Sequence, residues 1–208
     1  MRIQYLQSAA VIIESEGVRI LCDPWLYDGI YYGSWYHYPP LRFTPSDVSD
    51  VDYIYISHIH PDHYDIAALA EFPKNIPVII LDYAMKFLKA GIEKLGFQRI
   101  IELKSGSPFG LGKTLQIELI SSHKCDPEAC GKLFSCDRWI DSEMRGKGID
   151  SVAVFRDKDH VLVNHNDAPY FPPLCDLILS KYPDVNMNMG VYAGAGPYPQ
   201  CFANLTES

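Results

Sequence analysis

Ser57-His58-Ile59-His60-Pro61-Asp62-His63 is the stretch on which the reading of this chain turns. Three histidines and an aspartate fall within six residues, directly after the hydrophobic run Tyr53-Ile54-Tyr55-Ile56. Imidazole nitrogens suit zinc, iron and related metals, and a carboxylate can hold a second ion or orient a water. A tight turn lets the alternate residues His58 and His60 point the same way, leaving Asp62 and His63 to face a neighbouring position. A polar turn that merely contains histidines is the plainer alternative, and the density of ligand-type side chains weighs against it. We therefore expect these four residues to hold one or two metal ions that activate a water molecule.

Working outward, residues 2–6, 9–14 and 18–22 read as short strands, with Glu16-Gly17 as the turn between the last two. Asp23-Pro24 stops the pattern, because proline removes a ladder donor. Residues 25–45 carry eight aromatic side chains, including Trp25, Tyr31 and Trp35, broken by glycines and by Pro39-Pro40. A loop this long and aromatic often has a binding role; packing as a satellite cluster over the core is compatible with that. Tyr53–Ser57 reads as a strand, Ile66–Glu71 as a short helix, Val78–Leu81 as a strand and Tyr83–Leu95 as an amphipathic helix ending at Gly96. Arg99–Leu103 and Thr114–Ile120 are further strands, 124–149 an irregular charged insertion, and Ser151–Arg156 with Val161–Asn164 a hairpin. Leu177–Leu179 reads as one more strand, and the pattern breaks down from Met187 on. Strands at both ends with helices between strands in the middle fit a layered α/β domain, with no repeat or linker in residues 1–208.

The chain has 208 residues, 48% of them hydrophobic and 21% charged, which allows an ample core and argues against extensive disorder. The net charge of −8 and the lack of a basic stripe argue against nucleic acid as the main partner. A small anionic substrate is not excluded, since a bound metal can reverse the local field. No run of 18 apolar residues predicts a membrane span, no signal peptide is visible, and a cytoplasmic location follows as the default. Of the six cysteines, Cys22 lies in an apolar strand and reads as core. Cys125, Cys130 and Cys136 cluster in a polar segment without the paired spacing of a zinc ribbon.

His58-Ile59-His60-Pro61-Asp62-His63 resembles the H-x-H-x-D-H signature of the metallo-β-lactamase fold, a four-layer αββα sandwich. The resemblance implies that His58 and His60 bind a first metal, and Asp62 and His63 a second. His123, in Ile120-Ser121-Ser122-His123, fits the family's third ligand to the first ion. Asp167, in Val163-Asn164-His165-Asn166-Asp167, fits the bridging carboxylate. His165, two residues from Asp167, is left without a ligand role, and His37 and His160 have no such context. Leu21-Cys22-Asp23-Pro24-Trp25-Leu26 is similar to a segment of the lactonase-like branch and of the corresponding part of CMP-N-acetylneuraminate hydroxylases. Tyr55-Ile56-Ser57-His58 and Tyr192-Ala193-Gly194-Ala195-Gly196-Pro197-Tyr198-Pro199 look like the same subgroup. Those hydroxylases also carry a Rieske domain with Cys-x-His and Cys-x-x-His pairs, and neither pair occurs here. The family's usual last histidine near the C-terminus has no counterpart after His165, so the domain reads as C-terminally truncated or its second site as incomplete.

The resemblance implies a metallo-hydrolase with a mono- or dinuclear centre, zinc being favoured over iron or manganese. Asp62 would orient the nucleophile and later carry its proton. The substrate would be a small polar or sugar- or nucleotide-like molecule stacked on the aromatic segment. Two rivals remain: an iron-dependent oxidative enzyme fed by a separate electron donor, and a non-catalytic ligand-binding domain. Self-association into a homo-oligomer would be one way to complete the second site.

Overall fold

Strand periodicity places successive side chains on opposite faces of each strand, and this alternation builds the layers. The computed structural model describes residues 1–122, 150–168, 170 and 172–190. Six strands form one sheet in sequence order: β1 (Arg2–Gln7), β2 (Ala10–Ser15), β3 (Val18–Cys22), β4 (Tyr53–Tyr55), β5 (Val78–Leu81) and β6 (Ile100–Leu103). β1, β2 and β3 pair antiparallel, and β3 to β6 pair parallel. The tight turn between β2 and β3 has Glu16 at φ 56° and Gly17 at φ 80°, the left-handed pair that two-residue hairpins favour.

The second sheet has the order β11-β10-β9-β8-β7. Its strands are β7 (Phe109–Gly110), β8 (Gln116–Ser121), β9 (Ser151–Arg156), β10 (Val161–Asn164) and β11 (Met187–Met189). All neighbours are antiparallel except β10 and β11.

Three apolar layers follow from the alternation. Ile13, Ile20, Tyr55 and Ile79 face Ile117, Leu119 and Phe155 between the sheets. The other face of the first sheet, with Ile12, Leu21, Ile54 and Ile80, packs against helices α1 (Ile66–Glu71) and α2 (Phe87–Lys94) through Leu69, Leu88 and Ile92. The outer face of the second sheet, with Val152, Val154 and Val163, packs on helix α3 (Pro172–Lys181) through Leu174 and Ile178. This is the expected helix-sheet-sheet-helix sandwich.

Several boundaries differ from the sequence reading. Leu177–Leu179 is not a strand: it lies inside α3. A three-residue apolar run cannot distinguish the two periods, whereas Leu174 and Ile178 repeat every four residues, and Pro172 at the helix start is preorganised for it. The helix expected over Tyr83–Leu95 begins only at Phe87, because Tyr83 turns its hydroxyl onto the Ser57 carbonyl. Gly91 inside that helix has a packing reason, since a Cβ there would stand 2.5 Å from the Tyr64 hydroxyl. Strand pairing in β4 ends at Tyr55, and β7 and β11 had no sequence signal. Cys22 is fully buried, as expected. The cysteines at 125, 130 and 136 and the glycine-rich segment 192–199 lie outside the described residues.

The site end of the sandwich is stapled by Asp65. Its carboxylate accepts from Ala68 N at 3.1 Å as the α1 cap, and from Leu26 N and Tyr27 N at 3.0 and 2.9 Å. Asp65→Ala orphans all three donors, so we expect a loss of about 2–3 kcal/mol. Urea denaturation should show a lower midpoint with an unchanged slope.

Candidate metal centre

The motif turn begins where β4 leaves the sheet. Ile56 still donates to Ile79 O at 3.1 Å, but Ser57 N has turned away to Asp23 Oδ1 at 2.7 Å. Asp23 follows β3, the parallel neighbour of β4, so the carboxyl ends of two adjacent parallel strands meet here. From the second sheet, Asp150 precedes β9 and Asp167 follows β10 at the same end. Tyr55, Ser151 and Asn166 join the two sheets beneath the site: the Tyr55 and Ser151 hydroxyls lie 2.8 Å apart, and Asn166 Nδ2 donates to Ser151 O at 3.0 Å.

Five of the six sequence-predicted ligands come together. His58 Nε2 lies 2.8 Å from His60 Nδ1 and 4.0 Å from Asp167 Oδ2. His63 Nε2 lies 3.3 Å from Asp167 Oδ2 and 3.6 Å from Asp62 Oδ2. Two ligand groups result, His58–His60–Asp167 and Asp62–His63–Asp167, each with its ligand atoms within 4.8 Å of one another. Asp167 belongs to both, the position a bridging carboxylate would take. His123, the sixth, lies outside the described residues.

The hydrogen bonds behind the ligands fix their tautomers. Ser57 Oγ donates to Asp23 Oδ2 at 2.8 Å, so the contact of 2.9 Å between Ser57 Oγ and His58 Nδ1 requires Nδ1 to carry the proton. His63 Nδ1 donates to Asp23 Oδ2 at 2.9 Å. Both imidazoles thereby direct Nε2 into the centre, the arrangement in which a carboxylate behind a ligating histidine orients it and raises its basicity.

The electrostatics fit a cation. Burial, with help from His63 and His60, pushes His58 well below the usual imidazole range, so it is neutral and ready to ligate. Burial also pushes His63 down, but Asp23 and Asp167 outweigh it and hold the ring protonated. That proton sits where an ion between His63, Asp62 and Asp167 would sit. Burial raises Asp150 to about 6, and the Asp167 and Asp62 carboxylates add to the rise. Among the described residues three carboxylates converge with one imidazolium, and Asp150 Oδ1 is buried without a hydrogen-bond partner. A divalent cation supplies the charge this set lacks, so the residues present fit one.

Three contributors were not assigned from the sequence. Asp23 appeared as a strand stop and within a segment similar to relatives, with no role in the site; its function as a shared acceptor needs the strand register to be seen. Asp150 had no signal at all. Tyr31 was one aromatic among many, and its hydroxyl donates to Asp62 Oδ1 at 2.8 Å, leaving Oδ2 toward His63. It reaches there from a turn, Ile30–Gly33, in which Tyr31, Tyr32 and Gly33 all lie in the left-handed region. For the two tyrosines that costs roughly 1–2 kcal/mol each. The aromatic segment packs in part as a satellite cluster: Trp25 is buried and stacks on His37 at 4.0 Å, while Tyr32, Tyr36 and Tyr38 are exposed. His37 is held by Asp28 at 2.8 Å. His165 is buried beside Tyr170 at 4.4 Å and belongs to neither ligand group. His160 is half-exposed by its hairpin turn against Asp157.

Comparison with known proteins bears on the fold and the family. A protein of Mycolicibacterium smegmatis whose name is that of a Rieske 2Fe-2S iron–sulfur protein is 28% identical over 204 residues, which cover 97% of this chain and 36% of that one. The chain thus spans about a third of the length of that relative. A solved structure of isothiocyanate hydrolase from Delia radicum gut bacteria superposes with a TM-score of 0.65 at 20% identity, covering 86% of this chain and 66% of that one. A structure from Veillonella parvula, named for a metal-dependent hydrolase, reaches 0.68 at 16% identity and covers 89% and 69%. The family described as the beta-lactamase superfamily domain matches residues 2–166, and the chain belongs to it.

Proposed function

We propose that this chain is a metal-dependent hydrolase whose two ions are held by His58, His60 and Asp167, and by Asp62, His63 and Asp167. His123 completes the first set in this reading. The observation that carries it is the pair of ligand groups sharing Asp167, backed by hydrogen bonds that leave Nε2 of His58 and His63 unprotonated toward the centre when an ion replaces the His63 proton. When bound, such ions lower the pKa of water to about 7 and polarise the bond under attack. The chain's own residues do the rest. Asp62, steadied by Tyr31, orients the attacking water and takes its proton. Tyr31 and Trp35, with centroids 4.8 Å apart and the buried Trp25 packed behind Trp35, form an aromatic wall beside Asp62 suited to a ring-bearing polar substrate. Zinc is the ion we propose first, a small molecule is the proposed substrate, and a homo-oligomer is compatible with the site.

An oxidative reading stands second because the M. smegmatis relative aligned over 97% of this chain is named for a Rieske protein. The ligand set would serve iron equally, with electrons supplied from elsewhere. Metal analysis of freshly purified protein separates the two: zinc or manganese with hydrolysis of an ester and lactone panel supports the first, iron with redox turnover the second. Protein that binds neither under any loading overturns both.

His60→Ala should remove the first ion and abolish activity while leaving the fold intact. Elemental analysis with circular dichroism checks this, and unchanged metal content would sink the assignment. Asp23→Asn frees both imidazoles to adopt the wrong tautomer. It should weaken metal affinity about 10–100-fold, read by chelator competition. Tyr31→Phe keeps the ring and removes the hydroxyl that donates to Asp62, so we expect an activity loss of about tenfold with unchanged melting temperature.

A further inference from the structure

We propose that Asp150 is a ligand of the ion held by His58 and His60. The proposal rests on the metal-centre reading and deepens it. Asp150 Oδ1 lies 3.7 Å from His58 Nε2 and is buried with no hydrogen-bond partner among the described residues. Ligand atoms about 2.0–2.2 Å from one ion stand about 3–4 Å apart, so the spacing to His58 suits a shared cation; Asp150 stands outside the group that His58 forms with His60 and Asp167, so its side chain closes on the ion when the ion binds.

The hydrogen-bond chain makes the case sharper. Ser57 gives its only proton to Asp23, so His58 carries its own on Nδ1, and Nε2 presents a lone pair. His60 Nδ1 at 2.8 Å can fill that lone pair, but it does nothing for Asp150. A carboxylate oxygen therefore stands beside His58 Nε2 inside the protein without a donor of its own among the described residues. Burying an oxygen without a donor costs free energy. A cation between it and His58 Nε2 removes that cost.

Position supports the assignment. Ser151 pairs with Ser121, and Ser122 N donates to Asp150 O at 3.3 Å, so the residue sits where β8 and β9 open toward the centre. The side chain is 19% exposed, against 38% for Asp167, which already belongs to both ligand groups. With Asp150 included, a second carboxylate joins Asp167 beside the histidines of the first ion. That donor set shifts preference from zinc toward manganese or iron, since carboxylates suit harder ions.

The test uses the whole chain, metal-stripped and reloaded separately with zinc, manganese or ferrous iron. Wild type, Asp150→Asn and Asp150→Ala are compared by chelator competition and by melting temperature with and without ion. We expect affinity for the first ion to fall about 10–100-fold in Asp150→Ala, more for manganese than for zinc. The stability effect should change sign. Without ion, both variants should melt above wild type, because a buried carboxylate without a donor is gone; with ion, they should melt below it. Asp150→Asn keeps an amide oxygen, so a loss smaller than that of Asp150→Ala also supports ligation. Wild-type affinity in Asp150→Ala, with an unchanged metal-induced melting shift, overturns the proposal and leaves the metal centre standing. Wild type that binds no ion overturns both.

Discussion

Asp23 takes three donors at once, Ser57 N, Ser57 Oγ and His63 Nδ1, while fully buried and held at φ 44°. Such a backbone is uncommon outside glycine, asparagine and aspartate, and it persists only where its surroundings over-determine it. Here they do. β3 and β4 run parallel with Cys22 opposite Tyr55, so the residues after them emerge side by side, and Asp23 N donates to Tyr55 O at 2.9 Å. The inner faces of these strands belong to the apolar layer between the sheets. Sheet register thus sets the place of Asp23, Asp23 sets the tautomers of His58 and His63, and those set which nitrogens face the ion.

Charge completes the logic. A buried carboxylate is tolerated when hydrogen bonds satisfy it, and Asp23 meets that condition. Asp62, Asp150 and Asp167 do not meet it in the same way: they converge with too few protons among them. The proton on His63 offsets part of this, and its place between Asp23 and Asp167 shows where positive charge is wanted. The chain therefore spends folding free energy on assembling a negative cluster that only a cation relieves. Ion binding and stability should be read as one quantity in this protein.

Much of this was legible in the sequence for a definite reason. His58, His60, Asp62 and His63 are close along the chain, so their meeting needs only one turn. Asp167 was found because a resemblance supplied the distant partner that local pattern could not. Asp23 and Asp150 were hidden because their roles depend on which strand ends lie side by side, and Asp150 enters from the second sheet, 92 positions after His58. The strands of the two sheets were readable from alternation, whereas Leu177–Leu179 was misread because three apolar residues fit either period. The Tyr83 region failed for a related reason: helical pattern runs through it, but one tertiary hydrogen bond to Ser57 overrides the pattern.

The two sides of the centre differ in how they are built, and the difference bears on specificity. Ligands stand at strand ends anchored in packed layers, which gives the precision that metal geometry demands. The aromatic side rests on a loop whose hold on the site is narrower. Asp65 grips it at Leu26 and Tyr27, and Tyr31 touches Asp62 from a left-handed turn. Strain of that kind is retained where it places a side chain that an ordinary turn could not. A chain under selection for a different substrate can rebuild much of residues 28–38, since the hydrogen bonds that orient His58 and His63 come from Ser57 and Asp23, outside that stretch. The Tyr31 contact is the exception, and it couples the substrate wall directly to the carboxylate expected to move the proton.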